Sequence, residues 1–227
     1  MVHIRTDREI SLIAASCQIV ADTLNMLSDH INPGVRIIDL DKMAEEFILS
    51  RDARPAFKGY MGFPSTLCVS VDDEVVHGIP SDRYLEEGQI VGIDCGAEKE
   101  GYYGDHAITF SVGNVSESRK KLMQTTKDCL MKGIAEAKPG NFVSDIGYAI
   151  QTHAEGNGYS VVRELVGHGI GSSLHEEPQI PNYGTPNQGY KLCEGMCIAI
   201  EPIINIGNNE VKKDSDGWTI SKSEGEV

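Results

Sequence analysis

Apolar residues recur at helical spacing over the first thirty positions. Leu12, Ile13, Ser16, Cys17, Val20, Leu24 and Leu27 fall on one face of a 3.6-residue period. Thr6-Asp7-Arg8-Glu9 ahead of them has the residue order of a capping box, which predicts a helix starting there, and Pro33-Gly34 stops it. A second helix is predicted from about Asp39, carrying Met43, Phe47 and Ile48 inward. The same helix, Pro-Gly, helix order returns between about Ser116 and Glu155, with Leu122, Cys129 and Ile134 on the buried side. Strands and hairpins lie between and after the helix pairs. Segregated blocks of that kind predict an α+β fold, not an alternating parallel sheet.

Two apolar runs repeat one another. Leu85-Glu86-Glu87-Gly88-Gln89-Ile90-Val91-Gly92-Ile93-Asp94 matches Leu192-Cys193-Glu194-Gly195-Met196-Cys197-Ile198-Ala199-Ile200-Glu201 at an offset of 107. Both read as short buried strands introduced by a glycine turn, and each ends on a carboxylate. Pro33-Gly34 with Asp39-Leu40 matches Pro139-Gly140 with Asp145-Ile146 at an offset of 106. Two motifs at nearly one offset predict a duplicated single domain over 1–227, with halves of about 6–113 and 114–227 about a pseudo-twofold axis. A solenoid is excluded, because two copies cannot stack into an array.

Size and charge narrow the function. A chain of 227 residues supports one sizeable core, and a net charge of −14 argues against nucleic-acid specificity or attraction to an anionic membrane. Met1 to Glu9 carries charges before any apolar run, so no signal peptide is read, and no uninterrupted apolar stretch of membrane-spanning length is seen. The six cysteines lack CxxC spacing and read as reduced thiols of a cytoplasmic protein.

An ionised carboxylate ending a buried strand is costly unless an arginine or a metal offsets it, and here the device occurs twice, at Asp94 and Glu201. Asp105 lies beyond a predicted hairpin turn, Glu98-Lys99-Glu100-Gly101. With Lys99 and Glu100 central, Asp94 and Asp105 would stand opposite one another on one sheet face, where a bridging cation relieves their repulsion. His168 sits in Gly167-His168-Gly169-Ile170-Gly171, where the glycines permit a close backbone approach to a ligand. His175 follows seven residues later, and His77 in Val76-His77-Gly78-Ile79 repeats the His-Gly-Ile signature.

This constellation resembles the methionine aminopeptidases of type I. The matching motifs are Val76-His77-Gly78-Ile79-Pro80, Asp94 with Asp105, Gly167-His168-Gly169-Ile170-Gly171 with His175, and Ile200-Glu201-Pro202. Gly59-Tyr60-x-Gly62-Phe63-Pro64 and Gly217-Trp218-Thr219 match as well, so the resemblance runs from the first helix to Trp218. It implies the duplicated "pita-bread" (creatinase/aminopeptidase-like) fold, a curved antiparallel sheet with two helix pairs on its outer face. It further implies hydrolytic removal of initiator methionine from nascent chains, with a small second residue preferred.

By the same resemblance Asp94, Asp105, His168 and Glu201 would be metal ligands for two divalent ions, Mn, Fe, Co or Zn. Glu201 would also shuttle a proton, His175 would stabilise an oxyanion, and His77 would contact the scissile amide. Tyr60, Phe63, Cys68 and Trp218 would line a methionine pocket, with His77 and His175 also touching substrate. The implied setting is a cytoplasmic monomer meeting nascent chains in transient association with the ribosome. Family members close with a further strand whose glutamate bridges the two ions. Glu224 and Glu226 lie too near Trp218 to serve, so the second ion is expected to be weak or absent. The rival readings are a proline-directed aminopeptidase of the same fold and a non-catalytic peptide-binding module.

Overall fold

In the computed structural model, which describes residues 2–223, the capping box forms at Thr6. Glu9 N–H donates to Thr6 Oγ1 and Glu9 Oε2 accepts from Thr6 N–H at 2.9 Å, opening α1 (Asp7–Ser28). α2 (Ile37–Ser50) follows. Then come β1 (Arg54–Pro55), a 3-10 turn at Tyr60–Gly62, β2 (Leu67–Val71), β3 (Glu74–Val76), and a long hairpin of β4 (Ile90–Lys99) and β5 (Tyr102–Ser111). The second half repeats the order with α3 (Glu117–Glu136) and α4 (Val143–Gly156). After these lie β6 (Tyr159–Val161), β7 (Gly167–Gly169), β8 (Glu176–Ile180), β9 (Ile204–Ile206), β10 (Val211–Lys213) and β11 (Ile220–Lys222).

Every ladder among the described residues is antiparallel. β4 lies between β2 and β5 and also pairs with β1, while β10-β11-β3, β6-β9 and β7-β8 form shorter pieces. One apolar cluster joins Val20, Leu24, Leu40 and Ile48 to Val69, Val91 and Ile93. A second joins Cys129, Ile146 and Ile150 to Val161, Ile180 and Ile204. A smaller third takes Phe57, Phe63 and Cys68 from the first half and Ile170 and Leu174 from the second. α1 is long and apolar enough to cross a membrane, a property passed over in the sequence, but its Val20, Leu24 and Leu27 are fully buried in the first cluster.

The internal repeat is written in hydrogen bonds. Gly34 N–H donates to Leu85 O at 2.7 Å and Leu85 N–H to Val35 O at 2.8 Å. In the other half Gly140 N–H donates to Leu192 O at 2.9 Å and Leu192 N–H to Asn141 O at 2.7 Å. Each Pro-Gly turn therefore clamps the start of the Leu-x-Glu-Gly run that delivers a carboxylate.

Five expectations need correction. Lys99 pairs with Tyr102, so the hairpin turn is Glu100-Gly101, both at positive φ as a two-residue type I′ turn requires. Asp94 is consequently opposite Ala107 and Asp105 opposite Gly96, which makes the two acids diagonal neighbours on one face. Phe47 is only half-buried, beneath the Arg51 guanidinium, and Leu40 and Ala44 take the core positions. Ile134 is exposed, and Gly133 fills the helix contact instead, because a Cβ there would meet Ile150 Cδ1 at 2.9 Å. The Leu192–Glu201 run is not a regular strand: it joins β7 through the single bridge Gly169–Ile198 and three backbone bonds, two with His168 and one from Ile170.

Candidate metal centre

The floor of the site is the hairpin β4–β5. Asp94 and Asp105 share a side-chain hydrogen bond there, and Asp105 keeps 12% side-chain exposure. Burial and the charge of Glu201 push Asp105 up to about 6. Burial, with the charges of Asp105 and Glu201 behind it, holds Asp94 well above the ordinary carboxyl range. The pair therefore retains a proton where two anions would repel. Cys68 lies opposite Asp94 on β2, and burial plus that neighbouring charge keep its thiol neutral.

The wall comes from the second half. A Cβ on Gly167 would stand 2.3 Å from Ala199 O, and one on Gly169 2.3 Å from Glu177 O. The glycines flanking His168 thus admit neighbouring backbone on both sides, where the sequence suggested room for a ligand. His168 N–H and C=O pair with Ala199, which brings the chain two residues short of Glu201 beside it. The His168 ring gives Nδ1–H to Gly169 O at 2.8 Å, so the neutral ring presents a bare Nε2. That nitrogen lies 3.1 Å from Glu201 Oε1 and 3.8 Å from Asp105 Oδ2. Glu201 Oε1 is buried and accepts no hydrogen bond. Burial alone would lower the His168 pKa, but contact with Glu201 and Asp105 outweighs it and raises it. Three acceptors with no donor among them make a place for positive charge. They stand close without closing into a cage: among the described residues no three acid, histidine or cysteine groups converge as a preformed metal site.

Two further histidines edge the same cleft of about 550 Å³, which Asp94, His168 and Glu201 also line. His175 packs against the His168 ring, 4.3 Å between centres, and its Nδ1 is 2.9 Å from Tyr60 Oη. Burial and the adjacent His168 lower its pKa to about 4, so the ring is neutral near pH 7. With the Tyr60 hydroxyl donating to Nδ1, Nε2 carries the ring proton. His77 holds a left-handed backbone, φ 59°, unusual for a residue with a side chain. The next residue, Gly78, lies so close to β2 that a Cβ would meet Val69 O at 2.2 Å. Burial lowers the His77 pKa as well.

Phe63 and Cys68 are buried in the third cluster with Trp218 at its edge, and the Phe63 and Trp218 rings meet edge to face at 5.2 Å. Tyr60 is exposed and lies outside that cluster, with its hydroxyl against the His175 ring. Glu224 and Glu226 lie outside the described residues. Sequence reasoning missed Asn182, fully buried, whose amide donates to Glu201 O at 2.6 Å and fixes the backbone there. It also missed Arg5 and Glu176, a buried ion pair beside His175. The single residue step from His175 to Glu176 was the only available signal for that pair.

Comparison with known proteins agrees with this geometry. Residues 11–224 match the model of metallopeptidase family M24. The chain is 49% identical over 225 residues to methionine aminopeptidase 1 of Bacillus subtilis, covering 99% of this chain and 91% of that protein. It is 47% identical to the methionine aminopeptidase of Clostridium acetobutylicum, covering 100% and 91%. The crystal structure of methionine aminopeptidase from Thermotoga maritima superposes with a TM-score of 0.98 at 41% identity, covering 100% of this chain and 91% of that one. Prolidase from Pyrococcus furiosus shares the fold at a TM-score of 0.77 and 25% identity, but this chain covers only 60% of it. By the family model over residues 11–224 and by relatives matched over nearly the whole chain, this chain belongs to metallopeptidase family M24, in its methionine aminopeptidase branch.

Proposed function

We propose that this chain removes the N-terminal methionine of newly made polypeptides by metal-dependent hydrolysis, with a small second residue preferred. The observation that carries the reading is His168 Nε2 facing two carboxylate oxygens, Glu201 Oε1 at 3.1 Å and Asp105 Oδ2 at 3.8 Å, with no donor on Glu201 Oε1. Asp94, Asp105, His168 and Glu201 would hold a divalent cation. Three carboxylates and one imidazole suit Mn²⁺, Fe²⁺, Co²⁺ or Zn²⁺. Such a cation, when bound, supplies Lewis acidity toward the scissile carbonyl and makes a water nucleophilic near neutral pH.

The protein's own groups supply the rest. Glu201, with 39% of its side chain open to the cleft, takes a proton from the attacking water and passes it toward the leaving amine. His175 offers Nε2–H where oxyanion charge develops, held in that tautomer by Tyr60. His77, rigid in its strained turn, faces the same cleft and contacts the scissile amide. Phe63, Trp218 and Cys68 form an apolar recess that suits a thioether side chain. On this reading the reaction would run in the cytoplasm, on chains emerging from ribosomes, carried out by a monomer; the net charge of −14, which disfavours an anionic membrane surface, supports the cytoplasmic part.

Release of free methionine from a Met-Ala-Ser peptide tests the reading, with Mn²⁺ or Fe²⁺ titrated anaerobically and Glu201→Gln alongside. Turnover that needs metal and disappears in Glu201→Gln supports it. Cleavage of Xaa-Pro peptides instead would transfer the chain to the proline-directed enzymes. Peptide binding without turnover at any metal concentration would make it a binding module.

A further inference from the structure

The segment before α1 is built into the second half of the molecule. Arg5 is 8% exposed, its N–H donates to Gly195 O at 2.8 Å, and its guanidinium pairs with the Glu176 carboxylate. Two glycines leave room for it. A Cβ on Gly171 would lie 2.3 Å from an Arg5 guanidinium nitrogen, and one on Gly195 would lie 2.9 Å from Arg5 O. Glu176 is not spare charge. Its Oε1 accepts from Ser173 N–H at 2.9 Å and from the Ser172 hydroxyl at 3.2 Å, closing residues 171–176 into a tight loop. That loop presents His175, and Gly171 O at its start accepts from Tyr103 N–H, two residues before Asp105. On the other side Arg5 lies 3.7 Å from Glu9, whose carboxylate receives the Tyr102 hydroxyl at 3.2 Å.

We propose that Arg5 is a positioning residue: through Glu176 it holds the 171–176 loop so that His175 meets the cleft at a fixed angle to β5. The proposal rests on the aminopeptidase reading for its kinetic consequence, but its structural part stands without it. A desolvated guanidinium bonded to a loop carboxylate fixes that loop in a way a solvated lysine on the surface cannot. The group acts through Glu176 and touches no reacting atom. Its effect therefore belongs in the orientation of His175, and so in kcat, while the methionine recess and the acids of β4 and β5 are left as they are.

The test uses the full chain with Arg5→Met, which keeps the aliphatic stem, together with Arg5→Lys, Glu176→Gln and the Arg5→Met/Glu176→Gln double variant. Amide hydrogen exchange in the metal-free protein reads the loop directly. In Arg5→Met the Ser173 amide is expected to lose protection while the amides of β4 and β5 keep theirs. With Mn²⁺, kcat on Met-Ala-Ser is expected to fall on the order of 10- to 100-fold, as a small misplacement of a reacting group costs, with KM and Mn²⁺ affinity nearly unchanged. Arg5→Lys should recover part of the loss, and the double variant should be no worse than either single one. Unchanged Ser173 protection in Arg5→Met overturns the proposal, as does a loss seen equally in KM and Mn²⁺ affinity. If Arg5→Met does not fold, Glu176→Gln carries the same two readouts. A wild-type chain without turnover would sink the aminopeptidase reading, and Ser173 exchange would still decide the role of Arg5.

Discussion

His168 Nε2 and Glu201 Oε1 stand 3.1 Å apart, each an acceptor toward the other, because the proton of the ring is committed to Gly169 O. A proton or a cation resolves that opposition. Glu201→Gln supplies a neutral amide N–H instead, so the metal-free variant is expected to melt at or above the wild-type temperature. Its turnover should fall by about 100-fold or more, as removal of a proton-transfer group does. Mn²⁺ should raise the wild-type melting point, by about 2.7 kcal/mol of stability at a hundredfold excess over Kd, and raise the variant's far less. Equal Mn²⁺ stabilisation of both proteins would remove Glu201 from the ligand set.

The hairpin acids should contribute less to the stability of the metal-free protein as pH rises through their titration. Asp105 is raised to about 6 by burial and Glu201, and Asp94 is raised too. A carboxyl whose folded pKa exceeds its unfolded value of about 3.9 binds more protons when folded, so its contribution is present in acid and is lost as pH climbs through about 6. His175 and His77, whose pKa values are lowered by burial, act in the opposite sense, so the hairpin acids are read by difference: with EDTA present, the stability of wild type relative to Asp105→Asn should be greater near about pH 5 than near about pH 7.5. Mn²⁺ should stabilise most at the higher pH, where it no longer competes with the proton. A stability advantage of wild type over Asp105→Asn that grows over that window would contradict the account.

Much of this site could be read in the chain because its chemistry is local in sequence. The two Leu-x-Glu-Gly runs and their Pro-Gly partners announced a duplicated frame, and hydrogen bonds at Gly34 and Gly140 realise it. The hairpin register was misplaced by two residues because Glu100 adopts a positive φ that a glutamate seldom takes, and the even shift kept Asp94 and Asp105 on one face. A one-residue error would have separated them. Helix faces failed where a small residue won the contact: Gly133 is buried where Ile134 was expected. The Arg5–Glu176 pair was invisible since its members are 171 positions apart and no periodicity links them.

The methionine recess separates wall from core. Trp218 is only partly buried, and its ring meets Phe63 edge to face. Trp218→Ala should therefore fold normally while kcat/KM on Met-Ala-Ser falls by about 10- to 100-fold, mostly through KM. Phe63 is 4% exposed, and Phe63→Ala should cost about 3–5 kcal/mol in stability, read as a shift of the urea midpoint. A Trp218→Ala variant with unaltered KM would show that methionine is held elsewhere.

The glycines around His168 make a sharper claim, since they act by volume and not by flexibility. An added methyl at Gly169 would have to occupy space 2.3 Å from Glu177 O, and at Gly167 space 2.3 Å from Ala199 O, both main-chain atoms with no rotamer to yield. Gly169→Ala and Gly167→Ala should each cost about 4 kcal/mol or more, at the severe end of single substitutions. Gly156, the last residue of α4, has open space at its Cβ position, so Gly156→Ala should be neutral or stabilise by up to about 1 kcal/mol. Urea midpoints of the three variants measure this directly. Since β7 can only accommodate the methyl by moving His168 away from Glu201, any Gly169→Ala protein that does fold should also lose its melting-point response to Mn²⁺. A Gly169→Ala variant as stable as Gly156→Ala would mean that β7 and β8 do not approach one another as closely as their backbones stand here.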